Sequence, residues 1–200
     1  MNPEQLDTLR ELVNIGVGRA ANTLNVMLNT VVKLAIPDIR ICSVSELGEK
    51  LAVEDNERLA TIHLNFQGAF SGATSLVFPA ESAEKLVHAL AADHIEDDED
   101  RDALRVGMLT EIGNIVINNV MGTLGNLLGQ SLSYSLPAYH ETDVPRLAHI
   151  GTAAEEDTVI LTQADFTLPK MHIHGTILLW FRVESVKALT QAIDQMNAEV

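Results

Sequence analysis

One stretch of this chain occurs twice. Residues 7–37 and 107–137 match without a gap at an offset of 100, pairing Leu9/Leu109, Glu11/Glu111, Asn14/Asn114, Ile15/Ile115, Thr23/Thr123, Leu24/Leu124, Leu28/Leu128 and Pro37/Pro137. Register kept over that length points to a duplicated unit, and so to a fold with two-fold pseudosymmetry. The recurring apolar positions are what a core requires. An acid three residues before an amide recurs with them, and no core asks for that pair.

Local geometry gives the pair a place. Asn2-Pro3 reads as an N-cap followed by proline in the first turn, so a helix starts there and is expected to run to about Asn29. Leu6, Leu9, Val13, Gly16, Ala20, Leu24, Met27 and Leu28 fall at three- and four-residue spacing and predict the buried stripe. Asp7, Glu11, Asn14 and Gly18 fall on another stripe, because residues three and four apart are neighbours on a helix. Gly107, Glu111, Asn114 and Asn118 repeat it in the second copy. For a single Glu-x-x-Asn the ordinary reading is a solvated face. Repetition in register argues against it.

The rest of the chain alternates strand and helix signals. Positions 30–36 and 39–44 read as strands, 45–58 as a polar helix-prone patch, and 59–66 as a half-buried strand with Thr61, His63 and Asn65 on its polar side. A turn and a hairpin partner at 73–78 follow, then a helix opened by Pro79 to about Ala91. Seven acids between positions 93 and 102 predict a solvated connector. A long helix over about 103–128 and a strand over 131–136 follow it. The stretch 138–156 reads as irregular, 158–166 and 171–181 as strands, and 184–196 as a closing amphipathic helix. The expected fold is therefore α/β of the α+β type, one pseudo-twofold domain. Its halves, about 1–92 and 103–200, are joined by the acidic linker 93–102, and a β-sheet is covered by the two long helices and shorter ones.

Composition narrows the function classes. Twenty-eight acids against 13 basic residues leave a formal charge of −15, which argues against nucleic acid and against an anionic membrane surface. Cys42 is the single cysteine, so no internal disulfide forms and a reducing compartment is expected. There is no basic segment leading into an apolar one at the N-terminus, and no apolar run of the ~20 residues that a membrane span needs. A cytoplasmic protein is expected.

The usual catalytic devices are missing. Cys42 sits in a predicted strand without a basic neighbour and reads as an inert buried thiol. No Gly-x-Ser-x-Gly elbow or phosphate-cradling loop occurs. Gly113, Gly122, Gly125 and Gly129 read as close-packing or helix-stopping residues. His172 and His174 alternate on one strand, but two histidines without matched carboxylates or thiols read as a packed or solvated pair rather than a metal site. The Glu11/Asn14 and Glu111/Asn114 pairs remain. An acid and an amide make a poor active site alone; they make sense if the other half belongs to a partner. Phosphoryl transfer depends on positioning and charge stabilisation, and a carboxamide can orient a water for in-line attack.

The pattern Asp7-x-x-x-Glu11-x-x-Asn14, then 22 residues, then Pro37, resembles the signature of the CheC/CheX/FliY phosphatases of bacterial chemotaxis. Glu111-x-x-Asn114, 22 residues and Pro137 form the second copy, and two copies resemble the CheC type. The resemblance implies hydrolysis of the phosphoryl-aspartate of a CheY-type response regulator. It assigns Asn14 and Asn114 to placing the hydrolytic water, and Glu11 and Glu111 to pairing with the regulator's active-site lysine. Asp7, Pro37 and Pro137 are supporting members. No cofactor of the chain's own is implied, since magnesium belongs to the regulator. The family also includes binders of a CheD-type deamidase, for which no local motif places a surface. An adaptor that docks a regulator or such a deamidase without hydrolysis is the alternative. The second copy departs from the pattern at one point: Gly107 stands where the first has Asp7.

Overall fold

Asn2 nucleates the first helix by a reciprocal cap. Its side-chain oxygen accepts from the Gln5 backbone N–H at 2.8 Å, and the Gln5 side-chain oxygen accepts from the Asn2 backbone N–H at 2.9 Å. Helix α1 then runs Pro3–Leu28 and stops at Asn29, which adopts the left-handed conformation (φ 47°). This is a computed structural model, describing residues 1–36, 38–51, 57–91, 98–150, 158–168 and 171–198. Strands β1 (Lys33–Ala35) and β2 (Ile39–Ser43), a 3-10 turn and the short helix α2 (Leu47–Leu51) come next. The hairpin β3 (Leu59–Gly68) and β4 (Gly72–Pro79) leads into α3 (Ala80–Ala91). The second half supplies α4 (Asp98–Leu127), β5 (Leu132–Tyr134), β6 (Ala138–Thr142), α5 (Val144–Ile150), β7 (Thr158–Leu168), β8 (Met171–Phe181) and α6 (Val183–Ala198).

All eight strands form one antiparallel sheet in the order β1-β7-β8-β4-β3-β5, with β2 also on β7 and β6 also on β3. Each half thus lends its first two strands to the hairpin of the other. The registers correspond at the offset of the sequence match: Lys33 lies opposite Thr167 and Ser133 opposite Gln67, Ile39 opposite Thr162 and Tyr139 opposite Ile62. Where the hairpins meet, Leu76 faces Ile177.

The sheet is covered on both sides. Alternate residues of the central strands, among them Ile62, Leu64, Phe66, Leu76, Ile160, Phe166, Ile177 and Phe181, bury against α1, α3, α4 and α6 in the main core. The other set, including Val77, Val159, Leu161, Leu178 and Trp180, packs beneath Leu47 and Leu51 of α2 and Val144 and Leu147 of α5. That second cover overturns one expectation. Thr61 and His63 are not solvated; they are buried under the short helices, and His63 Nδ1 lies 2.9 Å from Ser75 Oγ.

Other boundaries shift for local reasons. The stretch from 138 is not irregular, since it holds β6 and α5 before its last residues fall outside those described. Pro79 closes β4, paired with Leu59, rather than opening α3. The acidic linker is shorter than 93–102, because α4 begins at Asp98. Positions 92–97 lie outside the described residues. Leu12 and Val17 join the buried stripe of α1, while Met27 is exposed.

Candidate functional site

Helices α1 and α4 lie against each other in opposite directions, and a glycine sets their approach. A Cβ on Gly16 would stand 2.6 Å from the Val120 Cα and 3.0 Å from the Asn119 carbonyl oxygen, so only glycine lets the two backbones come this close. On α4, a Cβ on Gly113 would meet the Ile62 side chain at 2.6 Å, which seats that helix on β3. Arg19 Nη1 donates to Thr123 Oγ1 across the pair at 3.3 Å. The N-terminal part of α4 is tied to β6, where Arg105 and Arg58 both donate to the Glu141 carboxylate. The Arg105 bond, foremost, holds Glu141 below the usual carboxylate range.

On this rigid pair the outer stripe of α1 is open. Asp7, Glu11, Asn14 and Gly18 are all exposed. On α4, Gly107 and Glu111 are exposed, and Asn114 and Asn118 half-buried. Neither Glu11 nor Glu111 has a hydrogen-bond or ion-pair partner among the described residues. The two amides are held differently. Asn14 Oδ1 accepts from the Ile36 backbone N–H at 3.3 Å, fixing α1 to the segment that leads into Pro37. Asn114 Oδ1 accepts from Asn118 Nδ2 at 2.6 Å.

The surroundings of the two pairs differ further. Asp7 is taken by Arg10 at 2.8 Å. Gly107 faces open space, and beside it lies an apolar groove of about 350 Å³ lined by Met27, Leu28, Leu104, Gly107, Met108 and Glu111. Pro37 lies outside the described residues, and Pro137 joins β5 to β6. Ile36 is buried, whereas Leu136 at the matching place is 90% exposed.

The remaining chemistry is unremarkable. Cys42 is buried, and burial foremost pushes its thiol up, away from thiolate reactivity. His174 Nδ1 lies 2.7 Å from Asp165 Oδ1, a carboxylate that only the strand register brings opposite it. Among the described residues no cluster of three or more His, Cys, Asp or Glu could hold a metal, and no helix is long and apolar enough to cross a membrane. What α1 and α4 offer is a carboxylate beside a carboxamide on each helix, Glu11 with Asn14 and Glu111 with Asn114. Sequence reasoning places Asn118 on the same stripe as Asn114 but assigns it no role; the side-chain bond between them is what the structure adds.

No protein-family model matches the chain. It is 30% identical over 136 residues to the CheY-P phosphatase CheC of Bacillus subtilis, a match spanning 67% of this chain and 65% of that relative. The chain thus covers somewhat less than two thirds of that protein's length. The fold is similar to the crystal structure of Thermotoga maritima FliY, with a TM-score of 0.76 at 16% identity over 98% of both chains. It is also similar to CheX from Borrelia burgdorferi, solved as a CheX–CheY–BeF3–Mg2+ complex, with a TM-score of 0.54 at 17% identity over 86% of this chain and 99% of that one.

Proposed function

We propose that this chain, which belongs to the CheC/CheX/FliY family, accelerates hydrolysis of the phosphoryl-aspartate of a CheY-type response regulator. One observation carries the reading: Glu11 and Asn14 stand exposed and adjacent on α1, exposed Glu111 and half-buried Asn114 take the matching places on α4, and both acids are unpaired among the described residues. The family resemblance, the CheC relative and the CheX–CheY complex support the choice of partner.

In this reading the regulator brings its phosphorylated aspartate, its lysine and its magnesium. Glu11 or Glu111 meets the lysine and sets the register of docking, a charge-assisted contact that strengthens as water leaves the interface. Asn14 or Asn114 then enters beside the phosphoryl group and holds a water in line with the phosphorus–oxygen bond to be broken. The chain adds no nucleophile and no metal. Its contribution is placement, and a positioned water removes much of the entropic part of the barrier.

The deciding experiment is a time course of phosphate loss from a phosphorylated CheY-type regulator with and without the protein. Faster decay, lost with each Asn→Ala change in proportion to the site it disables, is the expected result. An adaptor for a regulator or a CheD-type deamidase would leave the decay rate unaltered while still forming a complex.

A further inference from the structure

Asn14 and Asn114 occupy matching positions, but different groups hold their carboxamides. At the first site the Ile36 backbone N–H donates to Asn14 Oδ1. The matching residue of the second half, Leu136, is 90% exposed, and among the described residues the Asn114 carboxamide receives no hydrogen bond from a backbone N–H. Asn118 does that work instead, its Nδ2 lying 2.6 Å from Asn114 Oδ1 one helical turn away. At the corresponding place of the first copy stands Gly18, with no atom within 4 Å of where its Cβ would be. Each site thus has one internal donor, a main-chain amide at one and a side-chain amide at the other.

The consequence is chemical. A carboxamide has an oxygen that accepts and a nitrogen that donates on opposite sides of one plane. Pinning the oxygen fixes the plane and turns the nitrogen away from the anchor. Neither Asn14 Nδ2 nor Asn114 Nδ2 donates to any group among the described residues. Both sites therefore present a free N–H donor to whatever docks. A donor at that place can hold the oxygen of an attacking water, or a non-bridging oxygen of the phosphoryl group.

We infer that Asn118 is the positioning residue of the second site: it holds Asn114 with its amide nitrogen outward, as the Ile36 N–H holds Asn14. The inference rests on the phosphatase reading above and adds to it which atom of the carboxamide faces the regulator. An unpinned Asn114 would rotate among its orientations and lose the placement on which catalysis by an amide depends.

The test uses the full chain carrying Asn14→Ala, so that only the second site turns over, with a CheY-type receiver domain phosphorylated by acetyl phosphate. In that background Asn118→Leu, of nearly equal size but without a donor, is compared with Asn118→Gln, which keeps the donor. Asn118→Leu is expected to lower kcat about tenfold with KM within about twofold, because docking through Glu111 is untouched. Asn118→Gln is expected to recover most of that loss. Unchanged kcat in Asn118→Leu, or a loss that Asn118→Gln does not repair, overturns the inference. Asn114→Ala in the same background separates the two levels. If it abolishes the acceleration while Asn118→Leu does nothing, only the role of Asn118 falls; if it too leaves phosphate loss unchanged, the phosphatase reading of the second site falls with it.

Discussion

Two glycines of α1, two positions apart, should respond to alanine in opposite directions. Gly18 faces open space, so Gly18→Ala gains only helix propensity, about 1 kcal/mol. Gly16→Ala gains the same, but its new methyl group would lie 2.6 Å from the Val120 Cα and 3.0 Å from the Asn119 carbonyl. Those are backbone atoms of α4, which cannot swing aside as a flexible side chain could. Overpacking of this kind costs about 1–3 kcal/mol. Gly16→Ala should therefore be neutral to about 2 kcal/mol less stable than the parent, and about 1–3 kcal/mol below Gly18→Ala. In a domain of this size that is a gap of roughly 2–12 °C in Tm. Thermal unfolding of both variants followed by circular dichroism measures it. If Gly16→Ala melts at or above Gly18→Ala, the close approach of α1 and α4, and with it the common platform for both Glu–Asn pairs, is wrong.

Two further outcomes follow from single residues. His63 is buried and its pKa is pushed down to about 4, by burial first and by His140 second. The unfolded chain then takes up a proton near pH 6.5 that the fold refuses, so this stability is present above about 6.5 and lost as pH falls toward 4. Between pH 7 and pH 5 the loss is about 2 kcal/mol; urea midpoints should show it, and His63→Gln should flatten that slope if His63 causes it. Gly107→Ala places a methyl in open space within α4 and should stabilise by about 1 kcal/mol in urea titrations, a gain that would be absent if the site were crowded.

Long elements were legible because period and caps agree over many turns. The Asn2 cap, the long α1 and the β3–β4 and β7–β8 hairpins all lie where their patterns place them. What escaped reading was short or depended on distant partners. Helix α5 spans seven residues, Val144–Ile150, too few for a helical period to declare itself; α2, five residues within the stretch read as helix-prone, is too short to show which face it buries. Because neither helix was legible as a cover for the sheet, the burial of Thr61 and His63 was hidden: an alternating strand reads as half-solvated until something covers its polar face. Pairing each half's outer strands with the hairpin of the other, as in Lys33 opposite Thr167, is a tertiary fact that no local pattern records. Of the site, Glu11, Asn14, Glu111 and Asn114 were visible as a repeat. The anchors of the two amides were not legible as such, because one is a main-chain N–H twenty-two residues away and the other, Asn118, is placed on the stripe by its spacing but not marked as a donor.

The central claim is that these amides complete a regulator's active site, and one comparison bears on it most directly. Phosphate loss from a phosphorylated CheY-type regulator is followed with the parent protein and with the Asn14→Ala, Asn114→Ala double variant, both shown by circular dichroism to be folded. The account predicts faster loss with the parent and, with the double variant, the rate of the regulator alone. Equal acceleration by both proteins would contradict it.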